Sequence, residues 1–100
     1  MVLTIKERLL LLQILPREGP AAALRIRQRV ALQPKEVQKI GLAQDGEVVK
    51  WDTSIASEIE FLPTVRQALY LSDLVEKMNK QGNLNVETML LFDRFYLPTE

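Results

Sequence analysis

The sequence predicts an α+β fold: a mostly helical single domain over 1–100, with about five helices around a short antiparallel β-hairpin and a candidate third strand. Three observations carry this reading. Asp45-Gly46 sits between two short apolar runs, Leu42-Ala43 and Val48-Val49, the pairing of signals that marks a hairpin. Proline and glycine cut the rest of the chain into segments of helical length, several of which open on a capping residue. An apolar fraction of 47% in 100 residues is enough for one core and suits one domain.

Taken in order, Thr4-Ile5-Lys6-Glu7 is a capping box, with Thr4 as cap and Glu7 reaching back three residues later. The helix it opens runs to Leu15, where Pro16 forces the preceding residue out of the helical region. Apolar side chains nearly encircle this helix from Leu9 onward, which points either to burial on several sides or to an oligomer interface. Pro20 then suits the start of a second helix, Ala21 to Ala31. Its Leu24 to Val30 stretch also alternates, so a strand is the rival, and the leading alanines favour the helix. A short third helix spans Pro34 to Ile40. Gly41 is placed to end it in the left-handed conformation, with Leu42 returning to contact Val37.

The hairpin follows at once. A two-residue turn at Asp45-Gly46 pairs Ala43 with Val48 and Leu42 with Val49. The twofold period sets Leu42, Val49 and Trp51 on one face, taken as core-facing, and Ala43, Val48 and Lys50 on the other. Ser57 to Phe61 alternates and is the candidate third strand, with Ile59 and Phe61 inward. A long helix occupies about Pro63 to Gln81, ended by Gly82, with Asp73-Lys77 and Glu76-Lys80 spaced as ion pairs. Asn85 caps a last helix, Val86 to Tyr96. The expected core is Leu9, Leu12, Ile26, Val30, Val37, Ile40, Leu42, Val49, Trp51, Ile59, Phe61, Leu71, Val75, Leu91 and Phe92.

Composition narrows the chemistry. Histidine and cysteine are absent, which removes the usual neutral-pH base, the commonest metal ligands and every Ser-His or Cys-His arrangement. No phosphate-cradling glycine loop or metal-ligand spacing occurs. The expectation is a protein without catalytic residues, cofactor or metal. Its longest apolar run, Leu9 to Leu12, is far too short to span a bilayer, and the first fifteen residues lack the form of a signal peptide. A cytoplasmic location without membrane contact is therefore expected.

Net charge is zero but unevenly spread: residues 1–40 carry +5 and residues 41–100 carry −5. Two readings stand, a polar partner surface or attraction between the halves, within the fold or across an oligomer. Arg25, Arg27 and Arg29 form the most pointed cluster and are the candidate ligand- or partner-binding residues, suited to phosphate contact. The plain alternative is a solvated face paired with the acidic half. Three helices before a hairpin invite a winged-helix reading, but no recognition helix separates Pro34 to Gly41 from the hairpin, and the near-neutral charge lacks a basic footprint. Glu58 and Glu60 offer a carboxylate pair, or a charged strand edge that discourages aggregation. Trp51, Tyr70 and Tyr96 offer a stacking surface, or ordinary core and half-buried positions.

The opening Leu3-Thr4-Ile5-Lys6-Glu7-Arg8-Leu9 with Ile14-Leu15-Pro16-Arg17-Glu18-Gly19 resembles the start of small, uncharacterised proteins encoded by bacteriophages. The resemblance extends to Asp45-Gly46-Glu47-Val48-Val49-Lys50-Trp51-Asp52 and to Leu84-Asn85-Val86-Glu87. It implies a phage context and supplies no functional residues. The expectation that follows is a non-enzymatic phage accessory protein, acting by stoichiometric binding of a host or viral protein and forming a homo-oligomer. The alternative is a binder of phosphate ligands, either nucleic acid in a winged-helix-like mode or a sequestered nucleotide, through Arg25 to Arg29. An enzyme using Glu58 and Glu60 is a third.

Overall fold

A computed structural model describes residues 1–46, 48–55 and 57–98. Among them the order is β1 (Val2–Leu3), α1 (Ile5–Ile14), α2 (Ala21–Val30), α3 (Pro34–Ile40), β2 (Ala43–Asp45), β3 (Val48–Lys50), β4 (Ile59–Glu60), α4 (Val65–Lys80) and α5 (Met89–Phe95). The α+β class holds, with five helices and two small antiparallel strand pairs.

Local chemistry sets the helix ends where the sequence places them. The Thr4 hydroxyl accepts from the Glu7 N–H at 3.2 Å, while the Glu7 carboxylate accepts from the Thr4 N–H at 3.1 Å. Thr64 and Gln67 repeat this box at the head of α4. The second segment is helical, so its alternating pattern loses to its alanine-rich start. At the end of α3, Gly41 takes φ 65°. The Leu42 N–H donates to Val37 O at 3.1 Å and the Gly41 N–H to Gln38 O at 3.3 Å, a Schellman stop. Asn85 does not cap α5: its Oδ1 accepts from the Thr88 N–H at 2.8 Å in the turn before the helix, and regular helix begins only at Met89, with Thr88 in the cap position.

The core lies between α1, α2, α4 and α5, and holds Leu3, Leu11, Ile26, Val30, Phe61, Leu71, Val75 and Leu91, all fully buried. Each such aliphatic or aromatic side chain contributes roughly 1.5–3 kcal/mol on burial. Phe61 meets Phe95 edge-on, with ring centroids 6.4 Å apart. Leu3, Ile5, Leu10, Leu11, Leu15 and Phe95 are core residues that the periodicity did not select. Leu9, Leu12, Val37, Leu42, Trp51, Ile59 and Phe92, expected inside, are half-buried, and Val49 is exposed.

The β structure differs from expectation in two ways. The hairpin register is Ala43↔Lys50, Gln44↔Val49 and Asp45↔Val48, so Asp45 belongs to the strand and Gly46, at φ 63°, opens the turn. A two-residue slip in pairing leaves each side chain on its expected face, but every strand residue is exposed. The hairpin therefore stands at the margin of the helices, not at their centre. The expected third strand also has another partner. Ile59–Glu60 pairs with Val2–Leu3 in the register Val2↔Glu60 and Leu3↔Ile59, extended by Phe61 N–H to Met1 O at 2.7 Å. This second ribbon puts Leu3 and Phe61 into the core while Glu58 and Glu60 face solvent.

Candidate functional site

The helix α1 presents two very different environments. On its inner side Arg8 is only 1% exposed. An unpaired cation at that depth would be prohibitive, and every donor is answered. Its Nε donates to Val30 O at 3.0 Å and its two terminal nitrogens grip both Glu36 oxygens at 2.7 and 3.0 Å, one of them also reaching Ala31 O at 2.8 Å and the other Ser57 O at 3.5 Å. Ser57 Oγ donates to Glu36 at 2.7 Å and the Gln33 N–H adds 3.1 Å. The bidentate Arg8 pairing, with the Ser57 and Gln33 donors, overrides desolvation and holds the Glu36 carboxyl at a pKa of about 2 against the ordinary 4.5. This network joins α1, the end of α2, the start of α3 and the approach to β4. It is saturated, with Arg8 buried and Glu36 only partly exposed, which makes it a structural junction.

On the outer side α1 borders an open groove of about 900 Å³, whose far wall is the hairpin face bearing Gln44, Val49 and Trp51. Leu9, Leu10, Leu12 and Leu15 supply its apolar floor. Lys6, Arg17 and Arg27 stand around it with one carboxylate, Glu87. Trp51, the only tryptophan, is half-buried here and also borders a smaller cavity of about 260 Å³ beside Thr4 and Ile55. The hairpin is tied at its base by Asp52 N–H to Ile40 O at 2.7 Å. Just beyond, the Ser54 hydroxyl and N–H both donate to Asp52, holding its carboxyl below the usual range.

The three arginines singled out from the sequence do not converge on one site. Arg25 is exposed on α2. Arg27 reaches back to the end of α1 and donates to Leu12 O at 2.8 Å and Leu15 O at 3.3 Å, answering carbonyls that the helix leaves free. Arg29 lies over the Phe61 ring at 4.7 Å and donates to Leu62 O at 2.8 Å and Gln67 Oε1 at 3.2 Å. Only Arg27 lines the groove. The sequence reasoning passed over Leu9, Leu12 and Lys6 as one face of α1. Their spacing of three was the available signal, on a helix already noted to be apolar nearly all round.

Charge pairing also departs from the simple picture of two attracting halves. The described ion pairs are Arg8 with Glu36, Arg94 with Glu7 at 2.9 Å, Lys80 with Glu76, and the Met1 amine with Glu60. Among the described residues no Lys or Arg side chain of the basic half pairs with a carboxylate of the acidic half. Asp73 and Lys77 form no bridge either. Glu58 and Glu60 are exposed, and no set of three carboxylates comes together among the described residues. Tyr70 is half-buried against the core, and Tyr96 stacks on Phe92 with centroids 4.7 Å apart, so neither joins Trp51 in a common surface. No described helix is long and apolar enough to cross a membrane.

The chain matches no protein-family model, no curated protein and no solved structure.

Proposed function

We propose that this protein is a non-enzymatic phage accessory protein that acts in the host cytoplasm by stoichiometric binding of a host or viral protein, and that the groove between α1 and the hairpin receives that protein. The observation that supports this best is the groove's make-up: a floor of leucines beside Trp51, with Lys6, Arg17 and Arg27 against a single Glu87. An apolar floor with a polar rim is the pattern of a helix-in-groove contact, and Trp and Arg are the residue types that dominate such interfaces. The absence of histidine and cysteine supports a binding role over catalysis. The phage setting rests on the sequence resemblance alone.

The phosphate-ligand alternative has less support, since backbone carbonyls occupy the Arg27 and Arg29 guanidiniums. The test compares tagged wild type with Val49→Asp and Leu9→Asp in recovery from host cells, circular dichroism confirming the fold of each. The expected result is a protein partner held one-to-one by wild type and lost by both variants. Equal recovery by folded Val49→Asp overturns the assignment of the groove.

A further inference from the structure

We infer that the protein filling the groove is a second copy of this chain, docked through the outward stripe Val86, Met89 and Leu90 in a reciprocal dimer. The inference rests on the groove being a protein-binding site and names its occupant. The stripe follows helical spacing, three and then one residue apart, on a turn already helical in its bonding, since the Met89 N–H donates to Asn85 O at 2.9 Å. It is the kind of face a folded chain normally covers: Val86 is 89% exposed, Met89 40% and Leu90 43%. Asp93, one turn further along the same face, is exposed, as is Glu87 beside Val86. The stripe is thus apolar with acidic flanks, and the groove is apolar with a cationic rim.

Two further observations select a second copy over an unrelated protein. First, stripe and groove adjoin, because Glu87 flanks the stripe and lines the groove. A twofold dimer requires one continuous patch that carries both halves of the contact, so that each copy's stripe enters the other's groove. Second, the charges are left over in complementary sets. Among the described residues Lys6, Arg17 and Arg27 on the rim have no carboxylate partner, and Glu87 and Asp93 have no cation. Docking within one copy is excluded by connectivity, since the stripe is fixed beside its own groove by α5, whose Leu91 and Phe95 are buried in the core.

The experiment is the solution mass by light scattering across a dilution series, at low and high salt, with Trp51 emission read on the same samples. The expected mass is twice the 11.5 kDa chain when concentrated, falling to the single chain on dilution and with added salt. Trp51 emission shifts to the blue as the dimer forms, because Trp51 leaves water. Val86→Asp and Val49→Asp are each expected to be monomeric. Mixed together they regain part of the dimer, since one intact groove can meet one intact stripe. Val65→Asp, at a position of α4 that is 77% exposed and lines neither the groove nor the stripe, leaves the dimer unchanged. A single-chain mass at every concentration overturns the inference. If Val49→Asp then still loses a foreign partner, the groove reading stands with a different occupant. A dimer that survives both Val86→Asp and Val49→Asp, or one dissolved by Val65→Asp, overturns the inference; survival of Val49→Asp also removes the groove as its seat.

Discussion

The two sides of α1 follow opposite rules. On the inner side the charge of Arg8 is buried and completely answered by Glu36 and three backbone carbonyls. On the outer side Leu9 and Leu12 face an open groove with cations at its edge. A saturated polar network fixes the geometry of the elements it joins but has nothing left to offer a ligand. An incompletely covered apolar face packs against the core on one side, as Leu12 does, and retains on the other its capacity to bind. In this helix the conspicuous charged residue is structural and the plain leucines are the candidates for function.

The contrast is sharpest in the effect of substitution. Arg8→Ala strands the Glu36 carboxylate and leaves three carbonyls without their Arg8 donor, and is expected to cost about 3–5 kcal/mol, a large share of the stability of a domain this size. Urea titration followed by circular dichroism measures it, and a loss under ~1 kcal/mol breaks the distinction. The same junction responds to acid. Because the folded pKa of Glu36 lies below its unfolded value, the stability it contributes is complete above about pH 4.5 and disappears as pH falls toward about 2. Wild type is expected to lose stability over that window, and Glu36→Gln to start lower and change less across it.

Gly41→Ala is next in size. No atom lies within 4 Å of the added Cβ, so its expected cost of about 1–2 kcal/mol comes from φ 65° alone, read as a lowered thermal midpoint. On the groove side, Val49→Thr is expected to stay within about 0.5 kcal/mol of wild type in stability while weakening dimerisation. A substantial loss of stability there would mean that the hairpin does contribute to the fold. Smallest of all, Lys80→Ala removes an exposed bridge to Glu76 and is expected to change stability by no more than about 0.5 kcal/mol.

Much of the fold was legible because it is written in short-range chemistry. The Thr4 box, the Pro16 stop and the Gly41 stop each involve residues within five positions of one another, as does the Thr64–Gln67 box, which the sequence reading passed over. The hairpin was legible in place but not in register. Asp45-Gly46 and a turn opening on Gly46 both satisfy the need for positive φ, and no buried face fixes the choice when every strand residue is exposed. The partner of Ile59–Glu60 lies some sixty residues away at Val2–Leu3, beyond any local signal. Arg8 left a partial trace, a cation on the face that carries Leu11 and Leu15, but nothing in the sequence identifies Glu36 as its mate. The arginine cluster misled for the same reason: Arg25 and Arg29 share a face of α2 and Arg27 lies roughly opposite, and Arg27 and Arg29 meet backbone carbonyls that only the tertiary fold supplies.

The contact between α1 and α5 also sets the order in which the chain can be completed during synthesis. Glu7 waits for Arg94, and Leu11 waits for Leu91 and Phe95, while the strand at Val2–Leu3 waits for Ile59–Glu60. At translation speeds of about 5–20 residues per second, the interval between the first helix and the last is on the order of ten seconds. Throughout it, the face of leucine-rich α1 that α5 covers in the finished fold stays open. A nascent chain in that state is open to chaperones, and when several ribosomes share one message, to its neighbours as well.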